Sequence, residues 1–326
     1  LEAKFMRDIS SKINTRRTAT AEAILTASPE TIRSIQESRV PKGDPLSVSK
    51  VAAVQAAKNT PLLLPYCHTV PVDYVGVEFE LTDDAIHVTA TVKAIHKTGV
   101  EMEALTAASV AALNLYDMLK ALDGAMEIKT VRLLEQEGGK SDYCQSFASD
   151  LKAFVLVISD SVALGKKADR SGQLLVKRLQ DEGLTVAEYG VVADEPEAIR
   201  AAVRRACDDM RADLVITTGG TGVSPRDITP EAVQPLLDRT LPGITEAIRR
   251  FGQDRTPYAM LSRSLAGTRG KTLILCLPGS TGGVRDALDA LFPAVLHAYK
   301  MLWGGGHPEK ESASRTPVAA AGGDAG

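Results

Sequence analysis

The run "LVITT" that begins at Leu214 shows no polar alternation and breaks at once into "GGTG", Gly219 to Gly222, ahead of the helix-opening "TPEAV". A strand that is apolar on both faces has to be covered on both sides, which calls for a largely parallel sheet sandwiched between helices. Neighbouring stretches repeat the pattern. "FVLVI" from Phe154, "LTVAEYGVVA" and "KTLILCLPG" read as further strands, while "SGQLLVKRLQDEG", "PEAIRAAVRRACDDM" and "VRDALDALFPAVLHAYKML" carry helical spacing. Residues 148–303 are therefore expected to form an α/β doubly wound domain, with its ligand at the carboxyl ends of the strands.

The chain before residue 148 is patterned differently. "ETIRSIQESRV" reads as a strand, "DPLSVSKVAAVQAAK" as a helix, "VPVDYVGVEFELTDDAIHVTATVKAIHKTG" as a hairpin turning at Asp83 and Asp84, "VEMEALTAASVAALNLYDMLKAL" as a long helix and "EIKTVRLL" as a last strand. That β-α-β-β-α-β order predicts a ferredoxin-like α+β domain over residues 1–147. Residues 304–326 are small, polar and aperiodic, and read as a disordered tail. With 326 residues and 44% hydrophobic content, the chain can bury two cores.

A net charge of -3 without a basic stripe argues against nucleic acid as the main partner, and no apolar run reaches the roughly 20 residues of a membrane span. The four cysteines are dispersed without a CxxC pair, so neither a zinc site nor a disulfide framework is expected, and a reducing cytoplasm suits the chain.

A strand ending in "TTGGTG" presents backbone N–H groups with no side chains in the way, an arrangement suited to a phosphate. Asp227, close behind, would repel such a ligand unless a divalent ion lay between them. Gly219, Gly220, Thr221, Gly222 and Asp227 together therefore point to magnesium and a nucleotide. "CLPGSTGG", from Cys276 to Gly283, ends a second strand in the same way. Either turn alone is an ordinary strand-to-helix connection; two on one edge with an Asp favour a ligand. Asp227 before "ITPEA" and Asp194 before "EPEAI" are also placed to cap helices. In the first half, Glu101 and Glu103 open the long helix and suit its dipole, and Asp117 and Lys120 have the spacing of a surface ion pair. His68 reads as a half-buried structural histidine, and Lys42 and Lys140 as solvated surface.

Two resemblances change these readings. "TTGGTGVSPRDITPEA", "LSRSLAGTRGKTLILCLPGS" and "VLVISDSV" resemble the molybdopterin adenylyltransferase family, from about Phe154 to Trp303. That resemblance implies transfer of AMP from Mg-ATP onto the terminal phosphate of molybdopterin, with release of pyrophosphate. It assigns Asp227 as catalytic and magnesium-holding, Asp194 as a second acidic position, and Thr221, Ser262, Pro278, Gly279 and Ser280 to the nucleotide and pterin pocket.

"DISSKINTRRTATAEA", "KGDPLSVSKVAAVQAAKNTPLLLPYCH", "KTGVEMEALTAASVAALNLYDMLKA" and "VRLLEQEGGKS" resemble cyclic pyranopterin monophosphate synthase, from about Met6 to Ser141. This implies rearrangement of a GTP-derived cyclic nucleotide triphosphate with loss of pyrophosphate. Asp117 and Lys120 become an acid/base pair, the lysine expected to have its pKa lowered by nearby cations. Lys42, His68, Glu101, Glu103 and Arg17 become further site positions, and Lys140 a phosphate contact. Asn59 and Lys50 stand where that family carries arginines, and Thr69 where it has proline. Both families assemble as trimers or hexamers, the first with its site at a subunit interface, so a homo-oligomer is implied. The leading reading is a bifunctional enzyme; in the alternative, one half, the first more readily, is a non-catalytic pterin-binding or assembly module.

Overall fold

The computed structural model describes residues 6–147 and 150–304. The boundary expected at residue 148 and, apart from Gly304, the expected tail lie outside the described residues. The chain groups into two compact units. The first takes residues up to 146 together with 243–262 and 278–293; the second takes 147–242, 263–277 and the residues from 294 onward.

The first unit contains β1 (Thr15–Thr26), α1 (Pro29–Gln36), α2 (Pro45–Leu63), β2 (Tyr74–Leu81), β3 (Ala85–His96), α3 (Glu101–Leu119) and β4 (Glu127–Glu137). Its sheet runs β2-β3-β1-β4 with every neighbour antiparallel. The hairpin between β2 and β3 turns at Asp83 and Asp84, where the Thr82 amide donates to the Ala85 carbonyl at 2.9 Å.

The expected first strand is corrected. "PETIRSIQ" forms α1: the Ser28 hydroxyl accepts from the Thr31 amide at 3.3 Å, Pro29 fills the first turn, and Ile32 and Ile35 are buried three apart. The first strand is the earlier "TRRTATAEAILT", which buries Ala19, Ala21, Ala23 and Leu25 on one face. These small residues let α3 approach closely through its own alanine face, Ala104, Ala107, Ala108, Ala111 and Ala112, in a single core with Val88, Ala90 and Val92 of β3.

The second unit contains β5 (Lys152–Ile158), α4 (Asp160–Ala163), α5 (Arg170–Asp181), β6 (Thr185–Val192), α6 (Pro196–Arg204), β7 (Leu214–Thr218), α7 (Thr229–Val233), β8 (Arg239–Thr240), β9 (Leu265–Arg269), β10 (Thr272–Leu277) and α10 (Ala298–Leu302). Helices α8 (Pro242–Gln253) and α9 (Thr281–Leu291) lie almost wholly in the segments that group with the first unit.

The sheet order is β6-β5-β7-β10-β9-β8. Strands β6, β5, β7 and β10 are parallel, whereas β9 and β8 join antiparallel, so the expected parallel sheet is in fact mixed. The cause is local. Gly270, at a φ of +54°, turns the chain between β9 and β10 within two residues, a connection that only antiparallel neighbours can have. Phe154, Leu156, Ile158, Val215, Ile274 and Cys276 pack with Ile199, Val203, Ala232 and Val233 as the core. Because β5 lies between β6 and β7, the crossovers leave in opposite directions, and the crevice beyond the carboxyl ends of β5 and β7 is the topological switch point of the sheet.

Candidate active sites

In the first unit, α3 carries charged clusters at both ends. At its C-terminal end Asp117 is gripped twice: Lys120 Nζ lies 2.7 Å from Oδ1, and Lys42 Nζ lies 2.8 Å from Oδ2 and donates to the Asp117 carbonyl at the same distance. The bond from Lys120, then that from Lys42, draws the Asp117 carboxyl down to about 2, and Asp117 in return raises the Lys120 pKa. The expected lowering of a lysine pKa is thereby corrected. In this arrangement the Lys120 ammonium and the Asp117 carboxylate face each other as an exposed ion pair.

At the N-terminal end, buried Arg17 from β1 donates through Nε to the His96 carbonyl and through Nη2 to the Lys97 carbonyl, each at 3.1 Å. Its charge faces Glu101. Glu103, only 1% exposed, accepts from Cys67 Sγ at 3.8 Å through Oε1, while its buried Oε2 has no hydrogen-bond partner. Burial raises its pKa. His68 Nε2 meets the Arg7 carbonyl at 2.8 Å, and His96 lies within the field of His68, Lys97 and Arg17, with burial the main cause of its lowered pKa. Lys140 opens a short 3-10 helix behind Gly138, whose amide donates to Asp142 at 2.7 Å.

The structure thus joins Arg17, Glu101, Glu103 and His68 at one end, and Lys42, Asp117 and Lys120 at the other. Glu101 and Asp117 stand sixteen positions apart, about 24 Å of helix. Within one chain the two groups stay apart. Cys67 and His96 belong to the first cluster without having drawn notice in the sequence; "CH" and "IHK" carry no spacing signal of their own.

In the second unit the Gly-rich turn leaves β7 at the switch point. Gly219 has a φ of +110°, and a Cβ there would stand 2.1 Å from the Ile158 carbonyl oxygen. Gly219→Ala is accordingly expected to cost about 2–4 kcal/mol, since backbone would have to move against backbone. A urea midpoint indistinguishable from that of the parent chain would contradict this close approach. Thr229 ties the turn back on itself, its hydroxyl donating to the Gly219 carbonyl at 2.9 Å and its amide to the Gly220 carbonyl at 3.0 Å. Thr221 is buried, and its carbonyl accepts from the Arg263 amide at 2.8 Å.

Arg263 is a residue the sequence reading passed over. Its Nε donates to the Gly222 carbonyl at 2.6 Å, and its other nitrogens reach the Asp227 carbonyl and Glu231, so one guanidinium fixes the loop at three points.

Neither aspartate is a helix cap. Ile228 precedes α7 and Glu195 precedes α6, each without a side-chain cap bond. Asp227 Oδ2 instead accepts from the Ser224 amide at 2.8 Å, beside Gly222. Asp194 and Asp160 exchange bonds: the Asp160 amide donates to Asp194 Oδ2 at 2.8 Å, and the Asp194 amide to Asp160 Oδ1 at 3.0 Å. Burial, reinforced by the negative charges of Asp160 and Asp227, raises the Asp194 pKa. Asp194, Asp227 and the turn Gly219 to Gly222 therefore share one edge. Of the other expected pocket residues, Ser262, Pro278, Gly279 and Ser280 fall in the segments grouped with the first unit. Ser262 follows a short 3-10 helix, its amide donating to the Ala259 carbonyl at 3.2 Å, and the Ser280 hydroxyl caps α9 by accepting from the Gly283 amide at 3.1 Å. Among the described residues no group of three or more His, Cys, Asp or Glu side chains could hold a metal ion, and no helix is long and apolar enough to cross a membrane.

Residues 6–139 match the model of the MoaC family, and residues 154–297 match the model described as "Probable molybdopterin binding domain". A "Molybdenum cofactor biosynthesis bifunctional protein" of Chlorobaculum tepidum is 44% identical over 302 residues, which is 93% of this chain and 96% of that protein. One of the same description from Synechococcus elongatus is 40% identical over 315 residues, 93% of this chain and 98% of its own length. A "Cyclic pyranopterin monophosphate synthase" of Deinococcus radiodurans is 51% identical over 139 residues, 42% of this chain and 83% of that protein.

Proposed function

The chain belongs to the bifunctional molybdenum cofactor biosynthesis proteins, and from that premise we propose that its halves run two separate reactions. Residues 1–147, a ferredoxin-like domain, convert the GTP-derived cyclic triphosphate into cyclic pyranopterin monophosphate with loss of pyrophosphate. Residues 148–303 transfer AMP from Mg-ATP to molybdopterin.

The observation that carries the second assignment is the pairing of Asp194 and Asp227 along a Gly-rich turn at the switch point of the sheet. Phosphoryl transfer asks the protein for alignment and charge neutralisation, not for a side-chain nucleophile, and a turn fixed by Arg263 and Thr229 offers rigid backbone donors for that purpose. Magnesium fits this donor set. It characteristically takes one or two carboxylates plus ligand phosphates, so the absence of a three-side-chain cluster does not count against it. Asp227 and Asp194 would hold it, and it would supply positive charge to the phosphate oxygens.

In the first site, Lys120 and Asp117 handle protons, Lys140 holds a phosphate, Arg17 is a further substrate-binding position, and Glu101 and Glu103 hold the guanine edge. The 24 Å between the helix ends is the reason to assign this site to a homo-oligomer, in which the C-terminal end of one α3 is completed by the cluster on another copy.

A second reading, in which the first half only binds pterin or aids assembly, is favoured by one observation. Asn59, where the family carries arginine, spends its amide on the Gln55 carbonyl at 2.9 Å, within its own helix.

Pyrophosphate release separates the readings. The full chain given the cyclised GTP derivative should release it, and Lys120→Ala should reduce that release by two to four orders of magnitude, the usual weight of a general acid. AMP transfer to molybdopterin should be unchanged in the same variant. Equal release by Lys120→Ala and the parent chain would remove the proton-donor role.

A further inference from the structure

The loop between β7 and α7 carries a guanidinium that the proposed reaction has not yet used. Arg226 lies across the switch point on Asp160, just beyond the end of β5. Nη2 donates to Oδ2 at 2.7 Å and to Oδ1 at 2.9 Å, and Nε donates to Oδ2 at 3.1 Å. Nη1 reaches Glu195 at 3.1 Å.

Arg263 is committed largely to backbone carbonyls of the β7–α7 loop, which no ligand displaces. Arg226 is spent wholly on carboxylates, and both partners of its main ion pair are well exposed, with side chains 55% and 42% accessible. Solvent reaches both side chains, so a ligand phosphate can approach and compete for the guanidinium. The planar fork that grips a carboxylate grips a phosphate with the same two parallel bonds. The crevice where Arg226 sits is the ligand crevice of an open α/β sheet, lined on this side by Asp160, Asp194, Glu195 and Asp227.

We propose that Arg226 is a phosphate-binding residue of the second site, kept in reserve by Asp160, whose carboxylate occupies the guanidinium until a ligand phosphate displaces it. The inference rests on reading that crevice as a phosphate site. Exchange needs only the arginine side chain to move. The bonds between Asp160 and Asp194 run through each other's amides and keep β5 and β6 stitched together while Arg226 turns to the ligand. Asp160 thus acts as an internal competitor that discriminates against weakly charged ligands.

The test is titration of the full chain with magnesium tripolyphosphate, followed calorimetrically, for the parent and for Asp160→Asn, Arg226→Gln and the double variant. The first unit is the same in all four proteins and contributes equally to each titration. Asp160→Asn, which keeps the amide acceptor for Asp194, should tighten binding about tenfold by freeing the arginine. Arg226→Gln should weaken it about tenfold. The double variant should match Arg226→Gln, because Asp160 acts only through Arg226. Weaker binding by Asp160→Asn would make the pair a fixed clamp and overturn the proposal. Tightening that persists in the double variant would reduce Asp160 to simple charge repulsion and overturn it equally. AMP transfer measured on the same samples stands apart: the expected pattern of binding without any transfer would retain the Arg226 role and sink the adenylylation reading alone.

Discussion

Chains carrying Asp117→Asn and chains carrying Glu101→Gln are each expected to lose cyclic pyranopterin monophosphate formation by two to four orders of magnitude, the range for losing a proton-handling pair or its positioning partner. Co-assembled from a mixture of both, they should recover activity. The reason is the length of α3. Asp117 and Glu101 are sixteen residues apart on one continuous helix, so no single substrate of this size touches both within a protomer. If the site forms between copies, random mixing leaves one site in four with both residues native, and recovery to about a quarter of the parent rate is the expected ceiling. Mixed oligomers that stay inactive would mean that Asp117 and Glu101 do not share a site, and the acid/base assignment at the C-terminal end of α3 would fall with it. Product formation in co-refolded mixtures, compared with each variant refolded alone, is the measurement.

Asp227→Asn is expected to lower AMP transfer by two to three orders of magnitude, comparable with losing one preorganised electrostatic contact to the reacting phosphate, while stability changes by less than about 0.5 kcal/mol. The separation of the two effects follows from the contacts. Asp227 caps no helix; the bond its side chain accepts from the Ser224 amide is available to an asparagine oxygen as well, and its backbone bonds do not depend on the side chain. What the substitution removes is the negative charge beside Gly222. Turnover with ATP and molybdopterin, set against the urea midpoint of the same preparation, distinguishes the cases. A variant that unfolds early but turns over normally per folded molecule would show that Asp227 serves the loop and not the ligand.

Much of this protein is legible in the order of its residues because the relevant physics is local. The uninterrupted "LVITT" demands cover on both faces, and it becomes β7, wholly buried between β5 and β10. The alternation in "AIHVTATVKAIH" sets the register of β3, and the glycines after β7 announce a turn at which backbone approaches backbone. Local signals also misled. "ETIRSIQESRV" has apolar residues compatible with a strand, but Ser28 and Pro29 start a helix there, and the true first strand is disguised by alanines whose small size pays off only when α3 lies against them. The antiparallel β9 was hidden in the same way, since five residues beside a glycine turn acquire a direction only from the strand they pair with.

The sites divide along the same line. Residue type and position single out Asp227 beside its glycine turn, whereas spacing alone makes Asp117 and Lys120 a surface ion pair and Asp194 a helix cap, and it is the family resemblance that implies a site role for all of them. Whether those charges meet is a matter of distance in space. The rise of a single helix already sets Glu101 and Asp117 about 24 Å apart, whereas only tertiary structure draws Asp160, Asp194 and Arg226 together from three strand ends. It aims Arg263 at a loop some forty positions earlier in the chain. No periodicity encodes such contacts, because they arise where crossovers of the sheet bring distant strand ends to a common edge.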